Sequence, residues 1–385
     1  MTLRTCFGSL AWAACLLLSS GCSNDDIDLG GPGGQKPATY PRLIVAATDG
    51  VHIWDNAASI TSNVPSSVHF AKYSNAVGLG LDGDTLAVAT GFGSDTLLSG
   101  LHLFDHASQL KDDAQPSRSV PGAGFTGDYH GGFFENGRVV NIQADGRHNF
   151  WVRSEIDSGS VHFVPASATA PTAHFGNLLQ YAAYDEAHDK LLGSNLEMVQ
   201  SPLWKQAASK TGTIRNVDDQ FTQYRPRQLV VSGGRLYSNL WAPNTSGADI
   251  AIWNDLSTIS ASREPDVILH SMCGGQGDIK ALAVANDTLI TTSVMMENGQ
   301  WTSHLCLYKG ASTLSAERQP DATVHEASLH PTQNGADKSW LTKDGHLFVL
   351  DRDGIAIFKD ATTNPTFVTR LATSNVTAFD FLVLE

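Results

Sequence analysis

Fourteen histidines give this sequence many side chains that could bind a transition metal. Neutral imidazole is the commonest protein ligand for such ions. The histidines that lie in long polar segments are His130, His148, His270, His304 and His330. Of these, His130, His270, His304 and His330 are the metal-ligand candidates. No HxH or HExxH motif is present, so a divalent metal is possible but the spacing alone predicts no cofactor.

The same polar segments carry aromatic and arginine side chains. This composition suits the binding of a polar partner or a sugar-like ligand, and long loops on a rigid scaffold are where function is usually placed. The ligand-surface candidates are Tyr129, His130, Trp151, Arg225, Arg227, Trp241, Trp301 and His304. The alternative is that these segments only cover the scaffold beneath them.

No motif predicts a catalytic residue. Gly78 to Gly83 satisfies the GxGxxG spacing, but no helix follows it, so the dinucleotide rationale fails. Asp351 to Gly354 resembles the start of a calcium loop and lacks its later glutamate. GxSxG is also missing from the sequence. An enzyme whose site combines residues from separate repeats is still compatible with the sequence.

The five cysteines divide by position. Cys6 and Cys15 belong to an N-terminal apolar segment, and Cys22 follows it. Cys273 and Cys306 fall in one repeat unit, close to the same face, and we predict a disulfide between them because an exported protein meets oxidising conditions. The alternative is two separate thiols, with Cys306 buried as a small hydrophobic residue.

A repeat with seven copies, spaced 40 to 60 residues apart, positions all of these side chains. Its clearest copies read VHIWDNAAS, LHLFDHASQ, IAIWNDLS and IAIFKDAT. Aligning the seven copies, which we call units one to seven, puts one residue of each in a single column: Trp54, Phe104, Val164, Trp204, Trp253, Tyr308 and Phe358. We expect this column to pack between neighbouring units. His52, His102 and His162 share another column and are interpreted as repeat residues.

Each unit contains four short β-branched runs, A to D, separated by Asn, Asp, Gly and Pro. Radial repetition of four antiparallel strands predicts an all-β, seven-bladed β-propeller over residues 42–385. Unit one begins at run B, and Asn375–Glu385 matches run A. We therefore expect the C-terminal strand to pair with the N-terminal blade and close the ring. One face of the propeller carries the B-to-C loops and the D-to-A loops, and we call it the BC face. Propellers as a class bind ligands on this face. The predicted B-to-C loops are 91–100, 145–159, 241–249 and 295–304.

The N-terminus reads as an export signal. Residues 1–21 contain one basic side chain and an apolar run too short for a permanent membrane helix. Ser19-Ser20-Gly21 before Cys22 resembles a bacterial lipobox, which implies that Cys22 is acylated. Residues 22–41 are rich in Gly, Pro and Asp and suit a flexible tether. Ser23 resembles the outer-membrane sorting rule, so the expected location is the outer membrane, with the lipid as the membrane contact.

The formal charge of −14 argues against nucleic acid as a partner. The repeat unit resembles those of exported bacterial seven-bladed propellers of the NHL, YVTN and WD40-like kind. That resemblance covers nearly the whole mature chain and implies a platform for binding or assembly with a protein or glycan partner. The expected function is a binding or scaffold component of the cell envelope. The alternatives are a propeller enzyme, such as a lactonase-like hydrolase or lyase, and a periplasmic metal carrier.

Overall fold

A computed structural model describes residues 41–91, 100–121, 142–154, 160–170, 173–175, 182–185, 190–193, 198–200, 225–241, 249–258, 265–270, 277–297, 300–326, 328–329, 338–351, 353–372 and 378–385. These residues belong to one compact unit, Ala38–Glu385. Their architecture is an all-β propeller. Within the described ranges, no helix has the length and apolar character needed to cross a membrane.

The described strands form six complete four-stranded blades and one sheet of three strands. The first blade consists of β27 (Ala378–Leu384), β1 (Arg42–Ala47), β2 (Gly50–Trp54) and β3 (Val68–Phe70). The second consists of β4 (Ala76–Asp82), β5 (Thr85–Thr90), β6 (Gly100–Phe104) and β7 (Arg118–Pro121). The third is β8 (Ile142–Ala144), β9 (Phe150–Ser154), β10 (Ser160–Val164) and β11 (Ala173–Phe175), and the three-stranded sheet is β12 (Ala182–Asp185), β13 (Lys190–Gly193) and β14 (Met198–Gln200).

The remaining three blades come from units five to seven. They are β15 (Arg225–Ser232), β16 (Arg235–Trp241), β17 (Asp249–Trp253) and β18 (Val267–His270); β19 (Gly277–Ala285), β20 (Thr288–Glu297), β21 (Gln300–Lys309) and β22 (Ala322–His325); and β23 (Lys338–Leu341), β24 (Leu347–Asp351), β25 (Gly354–Lys359) and β26 (Thr366–Ala372). Short 3-10 helices cover Ala57–Ser59, Ala71–Tyr73, Ala107–Gln109, Leu256–Thr258 and Ala311–Thr313.

The small residues of the repeated phrase have a structural role. After strand C, a residue in the left-handed conformation turns the chain, as at Asn56 and His106. The alanine that follows is buried, and its N–H donates to a carbonyl near the start of strand B, as from Ala107 to Asp84 at 2.7 Å. Ala311 donates likewise to the Asp287 carbonyl at 2.8 Å. The phrase therefore ties the end of strand C to the A-to-B turn of its own blade.

The aromatic column packs between blades, which confirms that prediction. Phe104 of the second blade is fully buried, and its ring centroid lies 5.4 Å from Phe70 and 5.2 Å from Tyr73 of the first blade. Tyr308 clusters with Tyr237 of the preceding blade in the same way. Burial of each ring contributes about 2 to 3 kcal/mol. Trp204 lies outside the described residues.

Polar side chains also join neighbouring inner strands. The Asp380 carboxylate on β27 accepts hydrogen bonds from the Leu79 N–H of β4 at 2.8 Å and from the Lys338 Nζ of β23 at 2.7 Å. Gln228 on β15 accepts from the Leu282 N–H of β19 at 2.7 Å and donates to its carbonyl at 3.2 Å. Because each link crosses from one sheet to the next, these residues fix the blades relative to one another.

The C-terminal strand lies where the sequence predicted it. β27 pairs antiparallel with β1, from Arg42 opposite Leu384 to Ala47 opposite Ala378, with one irregularity between Ala46 and Ala47. The first blade is therefore assembled from both ends of the described chain.

Two predicted loops are wrong. Residues 145–159 were expected to form one B-to-C loop, but Asp145–Asn149 is an A-to-B turn and Phe150–Ser154 is strand β9. The Asp145 carboxylate closes that turn by accepting from the Asn149 side-chain amide at 2.7 Å. Similarly, most of 295–304 extends strands β20 and β21, which pair as far as Glu297 opposite Gln300. Polar side chains on these strands made them resemble loops.

Candidate functional site

The sequence-predicted ligand surface falls largely outside the described part of the chain. Tyr129, His130 and His330 lie outside it altogether. Arg225 and Arg227 lie in strand β15 rather than in a loop, Trp241 ends β16, His270 ends β18 and Trp301 lies in β21; only the backbone of these five residues is described. Nothing in the described ranges brings these residues together.

Three further candidates have defined places. Trp151 lies in strand β9, is 1% exposed and packs 4.6 Å from the Phe163 ring, so it is a core residue and not a ligand-surface residue. His148 lies in an A-to-B turn, on the opposite face from the one predicted. His304 lies in β21, is 6% exposed, and has its Nε2 3.3 Å from the Thr302 hydroxyl.

A different group of side chains converges in the first blade. Asp49 stands in the two-residue turn between β1 and β2, His52 lies on β2, and His69 lies opposite it on β3. Each of the three can place one ligand atom within 4.8 Å of the others. Among the residues that the structure describes, this is the one His, Cys, Asp and Glu group with that spacing.

The strand geometry brings these residues together. Val51-His52-Ile53 pairs with Val68-His69-Phe70, and in both triplets a histidine stands between buried apolar residues, so the two imidazoles emerge on the same side of the pair. Gly50 permits the close approach of the turn: its φ is +136°, and a Cβ there would lie 2.3 Å from the Phe70 carbonyl oxygen. Only glycine accepts both conditions.

The three side chains are in direct contact. His52 Nε2 lies 2.8 Å from Asp49 Oδ1, and His69 Nε2 lies 3.8 Å from Asp49 Oδ2. The two imidazole rings stack with centroids 4.1 Å apart and an angle of 13° between their planes. The His52 side chain is 17% exposed, whereas those of His69 and Asp49 are 37% and 38% exposed. The group is therefore anchored on one side and open to solvent on the other.

Neighbouring residues hold the group in place. His52 Nδ1 lies 3.2 Å from the Ser66 hydroxyl, and its ring stacks at 5.8 Å on Trp54. The His69 backbone N–H donates to the Asp112 carboxylate of the second blade at 2.7 Å. Since one ring nitrogen of His52 faces a carboxylate and the other a hydroxyl, its orientation is fixed from both sides.

Sequence reasoning interpreted His52 as a repeat residue and passed over His69 and Asp49. The available signal was the pair of VH triplets in adjacent strands. Cross-strand histidine pairs recur in the third blade, His162 opposite His174, and in the sixth, His304 opposite His325. Among the described side chains, the first pair is the one that forms a three-residue group with an aspartate at ligand spacing.

The cysteine prediction involves one described residue. Cys306 is fully buried on β21, with its sulfur 3.5 Å from the Thr323 hydroxyl. Cys273 lies outside the described residues, so the pairing stays a prediction.

No protein-family model matches the chain, and no curated protein matches it by sequence. Solved structures are similar to it in fold. A candidate 6-phosphogluconolactonase of Bacteroides uniformis is 12% identical, with 89% of this chain and 99% of that one covered and a TM-score of 0.52. A quinoprotein alcohol dehydrogenase-like protein of Bacteroides thetaiotaomicron is 10% identical, with 88% and 77% covered and a TM-score of 0.53. At such low identity the likeness shows the propeller fold alone.

Proposed function

We propose that this protein is a lipid-anchored β-propeller of the outer membrane that acts as a binding or scaffold component of a cell-envelope or extracellular complex. Acylation of Cys22 would supply the membrane contact and residues 23–41 the tether. The partner class is a protein or glycan bound on the BC face. We also propose the Cys273–Cys306 disulfide, which would tie the start of the sixth blade to its strand C.

The propeller itself has seven blades in this proposal. The three-stranded sheet β12–β14 lies in chain order between two complete blades, at the place of unit four, and would be the fourth blade. The pairing of β27 with β1 would close the ring. A closed ring leaves no exposed sheet edge and offers a rigid platform.

The observation that supports the binding role is that four buried carboxylates accept hydrogen bonds from within the propeller. Asp380 links inner strands, Asp145 closes a turn, and Asp351 accepts a hydrogen bond from Arg370. Asp82 accepts from the His148 N–H at 2.5 Å. These four carboxylates accept hydrogen bonds from within the propeller, so they support a rigid platform for binding. No described residue favours the lactonase-like alternative, and the carrier alternative depends mainly on histidines outside the described ranges.

Anchoring is tested by mass spectrometry of the N-terminal peptide and by membrane fractionation. The wild-type chain should carry a diacylglyceryl group on Cys22 and sediment with outer membranes, whereas Cys22→Ser should lose both. A Cys22→Ser variant that still sediments with the membrane, or an unmodified wild-type peptide, would contradict the anchor.

Partner binding is tested by a photo-reactive amino acid at one of two positions in the seventh blade. Asp353 is exposed in the B-to-C turn, and Lys343 is exposed in the A-to-B turn of the same blade. Crosslinking in intact cells should give a discrete adduct from position 353 and none from the matched position 343. Adducts from both positions, or from neither, would argue against a partner on the BC face.

A further inference from the structure

We infer that Asp49, His52 and His69 form a binding site for a divalent transition-metal ion of the zinc class. This site lies in the first blade and does not depend on the lipid anchor or on a partner of the BC face. It uses one carboxylate and two imidazoles, the ligand set found in three-ligand zinc sites that keep a position for water.

The spacing of the ligand atoms fits one ion. Zinc binds nitrogen and oxygen at about 2.0 to 2.2 Å in tetrahedral geometry, which places neighbouring ligand atoms roughly 3.3 Å apart. The two contacts to the Asp49 carboxylate, 2.8 Å from His52 Nε2 and 3.8 Å from His69 Nε2, lie on either side of that value. Shifts of about half an ångström would therefore bring both carboxylate contacts to that spacing.

Metal binding requires one ring to tilt relative to the other. A nitrogen lone pair lies in the plane of its imidazole, and two rings that stack at 13° cannot both direct a lone pair at one point between them. His69 can make the change because over a third of its side chain is exposed and its Nε2 has to leave only the Asp49 carbonyl oxygen, 3.2 Å away, whereas His52 is held between Ser66 and Trp54. We therefore assign His52 as the fixed ligand and His69 as the ligand that rotates.

The types of ligand atom indicate which ions the site would bind. Histidines bind metal ions through a nitrogen of the neutral imidazole. Imidazole ligands select zinc, copper, nickel or cobalt rather than magnesium or calcium, which prefer oxygen.

The scaffold around the site limits its distortion. Asp49 is fixed by a two-residue turn whose neighbour Gly50 rests against the Phe70 backbone. The backbone of His69, though not its ring, is fixed by the hydrogen bond from its N–H to Asp112. The Ser66 hydroxyl faces the outer nitrogen of His52, the arrangement that orients metal-binding histidines. These contacts are present before any ion binds.

The test uses the full chain, purified in detergent without a metal-affinity tag and stripped with a chelator. Zinc is titrated by calorimetry against the wild type, His69→Gln and Asp49→Asn. His325→Gln is the matched control, because His325 is an exposed strand D histidine opposite His304 in the sixth blade and belongs to no three-residue ligand group among the described residues. Circular dichroism checks that every variant is folded.

We expect one zinc ion per wild-type chain, an affinity loss of at least about tenfold in His69→Gln and in Asp49→Asn, and wild-type affinity in His325→Gln. Cobalt should give the strong visible absorption of a four-coordinate nitrogen-containing site in the wild type, and this absorption should disappear in both site variants. Absence of stoichiometric zinc from the wild type would overturn the inference. So would zinc that binds the site variants as tightly as the wild type, since the ion would then lie elsewhere.

Discussion

At the residue scale, two buried tyrosines show that the effect of a hydroxyl on stability depends on whether it has a hydrogen-bond partner. Tyr237 donates to the Ala311 carbonyl at 3.1 Å, whereas the Tyr308 hydroxyl is buried and has no hydrogen-bond partner among the described residues. Both rings belong to the same core cluster between the fifth and sixth blades. A buried hydroxyl without a partner destabilises the fold by about 1 to 3 kcal/mol, and a satisfied one stabilises it by about 1 kcal/mol.

Tyr308→Phe should therefore raise the free energy of unfolding by about 1 kcal/mol, while Tyr237→Phe should lower it by about the same amount. Urea titration at neutral pH measures both. The two substitutions remove the same atom from neighbouring positions, so the contrast isolates the hydrogen bond. A loss of stability in Tyr308→Phe would show that its hydroxyl is bonded after all.

The same residue gives a pH dependence. Burial raises the pKa of Tyr308 from 10.0 to about 12. Because the folded-state pKa lies above the unfolded one, folding favours the neutral phenol over the phenolate. This contribution to the free energy of unfolding is fully present below pH 10.0 and is lost as the pH rises through about 12. Tyr308→Phe should thus lose less stability than the wild type over this range in thermal melts. If the stability of the two proteins fell equally with rising pH over this range, the loss could not be assigned to Tyr308.

At the element scale, strand-to-strand geometry explains what the sequence could and could not predict. The four-run repeat and its packed column were predictable, since apolar alternation and turn residues are local signals. The Asp49 group was not predicted, because it depends on which residues of β2 and β3 stand opposite each other and on a two-residue turn. Trp301 was misplaced because polar residues on β20 and β21, strands of ten residues each, resemble loop sequence. Trp151 was misplaced because the polar A-to-B turn before β9 resembles part of a longer loop.

Glycines at the start of strand C should be much less replaceable than those in the A-to-B turns. A Cβ on Gly354 would lie 2.1 Å from the Leu371 carbonyl oxygen at φ +135°, whereas Gly83, at φ +55°, has no atom within 4 Å of its Cβ position. Gly83→Ala should cost about 1 kcal/mol and Gly354→Ala about 3 kcal/mol of stability. Urea midpoints at an unchanged slope measure the difference, and equal losses would contradict the close approach at Gly354.

At the scale of the whole molecule, Asp380 joins three blades through one side chain. It lies on β27 of the first blade, is 3% exposed, and bonds β4 on one side and Lys338 of β23 on the other. Its position links the second and seventh blades to the first, which contains both the first and the last described strands.

Asp380→Asn should lower the free energy of unfolding by about 3 kcal/mol, because it removes one partner of a largely buried pair. Arg318→Gln is the control: it breaks an exposed pair with Asp321, at 2.6 Å, and should change stability by less than about 1 kcal/mol. Chemical denaturation of both variants provides the comparison. Similar small changes in the two would show that the link does not hold the blades together.

The pairing of β1 with β27 also has a consequence for the order of events during biosynthesis. The strand that leaves the ribosome first among those of the propeller has to wait for the one that leaves last. Until then β1 has a bare edge, and the Asp380 link to β4 and β23 is missing. A chain whose synthesis stops early therefore presents an unpaired strand, a surface that proteases and chaperones recognise.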